Sequence, residues 1–336
     1  MECLYNRGQL KEYIDSFVNA RVLVIGDIIM DEFIWGDVSR ISPEAPVPIV
    51  EVKRETKMLG GAANVINNIA SLGARPVLCG VIGDDVNGEE ILSITTRMGL
   101  ETDGIVTEKG RLTSIKTRIV AQSQQVVRFD RENRTNIRAE SIKYLLSFVE
   151  KKLSSLDAIV ISDYGKGVIS ELFMKELRAL IDRTSGNSIV ISVDPKTGNF
   201  QYYHGVSVIT PNHHEAGAFC GFDVIDEATL ERAGMQMLNE LDCRSVLITQ
   251  GKDGMTLFEN RGEITHIPTV AKKVYDVTGA GDTVIGTFSL GLACGLDLKS
   301  AAVLSNFAAG IVVGEVGTSV VRADDLKHAL DVPVQE

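Results

Sequence analysis

Strand-length apolar runs alternate with helix-length amphipathic stretches along most of this chain, and that alternation narrows the fold more than any other feature. Residues 21–25 (Arg-Val-Leu-Val-Ile), 76–82, 158–161, 189–193, 206–209 and 246–248 are short apolar runs, the pattern of strands covered on both faces. Between them, 60–72, 88–98, 140–153, 169–182, 213–220 and 228–241 read as helices, after a first helix over 9–18. The succession predicts an α/β fold, a doubly wound, mostly parallel sheet flanked by helices, in one domain over 1–336. Two stretches break the rhythm. Residues 32–57, punctuated by Pro43, Pro46 and Pro48, and residues 111–130 alternate polar with apolar side chains. They predict a small exposed β-sheet outside the main one, placed as a lid.

In a sheet of this class ligands bind beyond the carboxyl ends of the strands. The polar residues expected there are Gly26-Asp27, Ser162-Asp163-Tyr164-Gly165-Lys166-Gly167, Asp194-Pro195-Lys196, Pro211-Asn212 and Thr249-Gln250-Gly251. Each alone is ordinary turn chemistry; together they point to a site along one edge. Composition excludes several classes of partner. A net charge of −11 argues against nucleic acid. No apolar run reaches membrane-span length, and residues 1–20 lack a signal-peptide core. Cys3, Cys79, Cys220, Cys243 and Cys294 are scattered without a C-x-x-C pair, which predicts reduced thiols in a cytoplasmic protein.

Asp276-Val277-Thr278-Gly279-Ala280-Gly281-Asp282 leads into an apolar helix over 283–292, after a β-like segment at 273–275. Small residues feeding a helix start leave backbone N–H groups free, and with the helix dipole they form an anion site. Asp282 beside them is either an N-terminal cap or a carboxylate serving phosphoryl transfer to a hydroxyl. No G-x-x-x-x-G-K-[ST] loop occurs, and Val284 stands where a dinucleotide fingerprint needs its third glycine. A serine-hydrolase elbow is also absent.

Gly60-Gly61-Ala62-Ala63-Asn64 lets backbone approach a ligand and offers an amide to a sugar hydroxyl; it is equally a tightly packed helix entry. Asn212-x-x-Glu215 is either a capping box or a carboxylate holding a magnesium-bound water. The adjacent His213 and His214 are expected to face solvent. Segment 109–134 holds seven bases (Lys109, Arg111, Lys116, Arg118, Arg128, Arg131, Arg134) against Asp130 and Glu132. That excess is either a protected strand edge or a receptor for an anionic group of the substrate.

Together these clusters resemble the ribokinase (PfkB) family of carbohydrate kinases over nearly the whole chain. Gly60–Asn64 matches its N-terminal signature, Asp276-x-x-Gly279-Ala280-Gly281-Asp282 its C-terminal one, and Asn212-x-x-Glu215 and Thr249-x-Gly251-x-x-Gly254 its magnesium-phosphate and nucleotide elements. Within the family, Gly26–Asp31, Arg40–Pro48, Ser162–Gly167 and Asp194–Lys196 are most similar to the kinases of ADP-heptose synthesis, which phosphorylate C1 of a heptose 7-phosphate. Many of those are fused to a nucleotidyltransferase domain; this chain ends soon after the kinase signature, which implies a kinase domain only.

The resemblance implies ATP and Mg2+, with a monovalent cation such as K+ in some relatives. It gives Asp282 the role of general base and the N–H groups of Gly279, Ala280 and Gly281 that of an anion hole. Position at a helix N-terminus predicts a readily ionised, weakly basic Asp282. Asp31, Gly60, Gly61 and Asn64 should hold the sugar, with Lys116, Arg118 and Arg128 receiving its phosphate. Lys196, Asn212, Glu215, Thr249, Gly251, Gly254 and Asn306 should lie near the nucleotide, Glu215 reaching magnesium through water. Asp276 and Thr278, with backbone near Val312 and Gly317, would hold the monovalent cation. Relatives often dimerise through the lid, which implies a homodimer here.

Overall fold

The computed structural model describes residues 5–122, 124–185, 189–271, 274–315 and 319–332. Cys3 and Gly317 lie outside them. The chain opens with α1 (Arg7–Ser16), β1 (Arg21–Ile41), β2 (Pro48–Gly61), α2 (Ala62–Ser71), β3 (Arg75–Gly83), α3 (Val86–Arg97) and β4 (Ile105–Glu108). It continues through β5 (Ser114–Ala121), β6 (Gln124–Arg131), α4 (Ala139–Lys152), β7 (Ala158–Ser162), α5 (Glu171–Ser185), β8 (Val190–Asp194) and β9 (Val208–Ile209). The last part holds α6 (His213–Cys220), α7 (Glu227–Leu241), β10 (Ser245–Thr249), β11 (Met255–Glu259), β12 (Ile264–Ile267), α8 (Ala280–Ala293), α9 (Leu298–Val312) and α10 (Ala323–Asp331).

The main sheet runs β12-β11-β10-β9-β8-β7-β1-β3-β4, parallel except for the antiparallel pairs β10–β11 and β11–β12. Strand alternation sorts side chains to its two faces. Val22 and Val24 of β1, with Ala158 and Val160 of β7, pack with α1, α2, α8, α9 and α10 through residues such as Leu10, Ile66, Phe288, Phe307 and Leu326. Leu23, Ile25, Ile159 and Ile161 pack the other way, onto Leu145 of α4, Phe173 of α5 and Met237 of α7. This is the doubly wound arrangement that the periodicity predicts. Truncating one fully buried side chain, as in Phe288→Ala, should cost about 3–5 kcal/mol.

The strand expected to end at Gly26-Asp27 does not end there. Residues 21–27 of β1 pair with β3 and 22–26 with β7, and the same strand then runs on against β2 and β5. A Cβ at Gly26 would sit 1.9 Å from the Ser162 carbonyl oxygen, so the strand can pass β7 only with glycine there. The extension, β2, β5 and β6 form the small sheet, which therefore grows out of a central strand of the large one. β6 is exposed at every residue, whereas β5, between β1 and β6, is largely buried, so the segment 111–130 is not uniformly exposed. The β-like segment expected at 273–275 is not a strand at Val274 and Tyr275; Lys273 lies outside the described residues.

Candidate active site

The five strand-end clusters meet at one edge. Asp27, at the crossing of the two sheets, is buried and accepts N–H bonds from Tyr164 (2.9 Å), Lys166 (2.9 Å) and Val168 (3.2 Å), which ties the loop after β7 to β1. Asp163 N–H in turn donates to the Asp194 carbonyl at 3.1 Å, and Asn212 pairs with Thr249 by a parallel bridge.

At the centre is Asp282, buried in the first turn of α8. Its Oδ2 accepts from Asn64 Nδ2 and its Oδ1 from the Tyr164 hydroxyl, both at 2.7 Å. Burial pushes its carboxyl up to about 6; the bonds from Asn64 and Tyr164 pull the other way, Asp31 adds to the rise and Lys116 opposes it. Desolvation thus outweighs the helix N-terminus, reversing the weak-base expectation. α2 and α8 bring Asn64 and Asp282 together: Asn68 Nδ2 donates to the Asn64 carbonyl at 2.9 Å, and Thr283 Oγ1 to Asn68 Oδ1 at 2.8 Å.

Gly279, with φ +81°, caps α8 in the left-handed region. Of the three amides expected to form the anion hole, that of Ala280 is taken by the Val277 carbonyl at 3.2 Å. Those of Gly279 and Gly281 have no partner among the described residues, nor has that of Asp282. Space over Gly281 is open.

On the small-sheet side, Gly60 and Gly61 lie beside β1 opposite Ile29 and Ile28. A Cβ on Gly60 would stand 2.2 Å from Asp31 Oδ2, and Gly61 adopts φ +57°. Gly60 therefore makes room for the Asp31 carboxylate, whereas a Cβ on Gly61 would stand 2.5 Å from the Asp27 carbonyl oxygen. Arg118 Nη1 donates to Asp31 Oδ1 at 2.5 Å, with side-chain exposures of 9% and 7%. That guanidinium is committed to Asp31. Arg128 is likewise committed, in a two-pronged pair with Asp130 (2.8 and 2.6 Å). Arg111 pairs with Glu108 and Arg134 with Glu132, so four of the seven bases of 109–134 are paired with carboxylates. Lys116 is different: no carboxylate lies within 4.0 Å of it among the described residues. Its Nζ stands 4.4 Å above the Tyr164 ring, and burial lowers its pKa.

On the other side, Asp194 at the end of β8 is held well above the usual carboxylate range by burial and by Asp282, Glu215 and Asp163, with Lys196 opposing. Glu215 is also raised, chiefly by burial. The capping box forms: Asn212 Oδ1 accepts the His214 and Glu215 N–H groups at 3.0 Å, and Glu215 Oε2 accepts that of Asn212 at 3.1 Å. Lys196 is exposed. Among the described residues no three His, Cys, Asp or Glu side chains are set to cage a metal ion. The crowded Asp194 and Glu215 carboxylates do suit magnesium, which takes one or two protein carboxylates and otherwise water and phosphate.

Thr249 ends β10, Gly251 (φ +61°) and Gly254 (φ +87°) bound the following turn, and a Cβ on Gly254 would meet the Ile267 carbonyl at 2.2 Å. Asn306 is buried and donates to the Pro268 carbonyl at 2.8 Å, so its amide braces the chain after β12. Asp276 Oδ1 accepts both the N–H (2.9 Å) and the hydroxyl (2.7 Å) of Thr278, and Tyr275 N–H donates to the Val313 carbonyl at 2.8 Å. His214 is exposed as expected, but the His213 ring is partly covered, with a buried Nδ1.

Tyr164 bonds Asp282 and Asp194 acts on it through charge; the sequence placed both in strand-end clusters but gave neither a role of its own. Their signal was position: Asp194 is the last residue of β8 and Tyr164 stands two residues past β7, in a sheet whose ligands gather there.

The pfkB family carbohydrate kinase profile matches residues 19–324. The chain is 44% identical over 322 residues to the bifunctional protein HldE of Desulfatibacillum aliphaticivorans, covering 96% of this chain and 65% of that protein. It is 41% identical over 317 residues to the bifunctional protein HldE of Wolinella succinogenes, covering 94% and 66%. The chain thus spans about two thirds of the length of these curated relatives. Arabidopsis thaliana ribokinase, solved with ribose and ATP, superposes with a TM-score of 0.73 at 15% identity over 94% of this chain and 99% of that one. Escherichia coli phosphofructokinase-2, solved with substrates and products, gives 0.74 at 18% over 93% and 98%. The fold is ribokinase-like, and the chain belongs to the pfkB family of carbohydrate kinases, phosphotransferases that act on a sugar hydroxyl.

Proposed function

We propose that this chain transfers the γ-phosphoryl group of ATP to the C1 hydroxyl of D-glycero-β-D-manno-heptose 7-phosphate, giving the 1,7-bisphosphate used in ADP-heptose and lipopolysaccharide core synthesis. The observation that carries the chemistry is Asp282: a buried carboxylate held at both oxygens, beside the Gly279 and Gly281 amides that have no partner among the described residues. The identity to HldE proteins and the heptose-kinase-like motifs support the choice of sugar.

In this reading Asp282 receives the acceptor proton. With its carboxyl raised to about 6 it is a stronger base than an exposed aspartate, yet still ionised at neutral pH. The transition state is loose, so the acceptor loses its proton late and the protein acts chiefly by positioning and charge stabilisation. The Gly279 and Gly281 amides, with that of Asp282, face the charge on the transferred group. Asn64 and Asp31 orient the sugar. Of the three bases expected to receive the substrate phosphate, Lys116 is the one without a carboxylate partner among the described residues, since Arg118 and Arg128 already hold carboxylates. Lys196 and the turn from Thr249 to Gly254 serve the nucleotide. Asp194 and Glu215 would hold hydrated magnesium, which when bound neutralises phosphate charge. Asp276, Thr278 and the neighbouring carbonyls are the place for a potassium ion. The small sheet closes over the sugar, excludes water and joins two copies in a cytoplasmic homodimer.

Turnover of ATP with heptose 7-phosphate, fructose 6-phosphate and ribose tests this. The heptose should give the highest kcat/KM; a preference for an unphosphorylated sugar would overturn the acceptor.

A further inference from the structure

Among the described residues, the side chains bonded to Asp282 are those of Asn64 and Tyr164. The loop that carries Tyr164 is fixed from several directions. Asp27 accepts its N–H groups at 164, 166 and 168, while Asp163 accepts the Gly165 N–H (2.7 Å), the Asn199 amide (2.7 Å) and the Tyr203 hydroxyl. Lys166 pairs with Glu132 just beyond β6, so the loop is also tied to the small sheet. Tyr164 therefore has little freedom, and its ring is pinched between Lys116 Nζ over one face and Asp282 at its hydroxyl. The Lys116 ammonium is attracted to the face of the ring, which helps hold the ring where its hydroxyl meets Asp282.

We propose that Tyr164 is a positioning residue for Asp282: its hydroxyl, held in place by the tied loop and by Lys116 over the ring, aims the carboxylate and favours its ionised form in a buried site. This rests on the reading of Asp282 as the base. The groups facing Asp282 come from every neighbouring element: Asp31 from β1, Asn64 from α2, Lys116 from β5, Tyr164 from the loop after β7 and Asp194 from the end of β8. Asp31 and Asp194 favour the protonated acid. Lys116 and the two hydrogen-bond donors favour the carboxylate, and the Tyr164 hydroxyl is the one that can be deleted with the least change in shape.

Tyr164→Phe keeps the ring and removes the hydroxyl. With ATP and heptose 7-phosphate, the midpoint of the acid limb of kcat should rise by about one pH unit, a tenfold loss on that limb, while the KM for ATP is unchanged. A second readout needs no substrate. Protein labelled with 13C at aspartate carboxyls is titrated, and the resonance missing from Asp282→Asn identifies Asp282. Its midpoint should rise in Tyr164→Phe and fall when Tyr164 is replaced by 3-fluorotyrosine, a nearly isosteric and stronger donor. Midpoints unmoved in both replacements overturn the inference, as does a loss of rate equal at every pH. If Asp282→Asn turns over normally, the base reading fails instead, and the carboxyl titration still decides whether Tyr164 holds Asp282.

Discussion

The pair between Asp31 and Arg118 offers the sharpest separation of a structural from a substrate-binding role. Arg118→Met removes the guanidinium and leaves the Asp31 carboxylate, 7% exposed, without its partner. Breaking a buried pair from one side costs about 3–5 kcal/mol, because the remaining charge stays desolvated. A chain of 336 residues unfolds with an entropy on the order of 0.7 kcal/mol/K. The melting temperature should therefore fall by about 4–7 °C. Calorimetry at pH 7 reads this directly, and the double variant Asp31→Asn with Arg118→Met should recover most of the loss, since no buried charge is then stranded. Because Arg118 acts through Asp31, the single variant should weaken phosphorylated and unphosphorylated sugars alike. A melting point within about 1 °C of the parent, with weakened binding confined to phosphorylated sugars, would refute the reasoning and return Arg118 to the substrate phosphate.

Three further outcomes are expected. Gly60→Ala places a Cβ 2.2 Å from Asp31 Oδ2, so the sugar KM should rise about tenfold or more while ATP binding measured by calorimetry is unchanged. Lys116→Ala should raise the KM for a phosphorylated sugar more than for a neutral one, and equal losses would exclude it as the phosphate receptor. For pH, burial pushes the Asp282 carboxyl in the folded chain up to about 6 from an ordinary aspartate value of 3.8. With the ionised carboxylate as the proposed base, kcat should fall about tenfold between pH 7 and pH 5, and a flat profile would contradict this. The stability effect has the opposite sign: a raised carboxyl favours the fold when protonated. This contribution, roughly 3 kcal/mol, is complete below 3.8 and lost as pH rises through about 6, with Asp27 acting in the same direction.

The main sheet was legible because its strands are buried on both faces and so read as unbroken apolar runs. What escaped the sequence were elements whose partners lie elsewhere. β11 and β12 are antiparallel additions at the sheet edge, and β4 is short. β1 was cut at Gly26-Asp27 because glycine and aspartate are turn residues; only the proximity of Ser162 shows that glycine serves a strand crossing. At the site, motif spacing located Asp282 and Asn64 but not the balance of forces on them. Helix position alone argued for a low pKa, whereas burial by β1, β5, α2 and the Tyr164 loop decides it. Likewise the basic excess of 109–134 was countable, but which bases are spoken for depends on register: β5 lies beside β1, and that places Arg118 against Asp31 and leaves Lys116 over Tyr164.

The most direct test of phosphoryl transfer through Asp282 is single-turnover kinetics of Asp282→Asn with ATP and heptose 7-phosphate at pH 8, alongside nucleotide binding by calorimetry. The rate should drop by about three orders of magnitude or more with ATP affinity kept within a few-fold. A near-parental rate with the amide in place would contradict the assignment of Asp282 as the base.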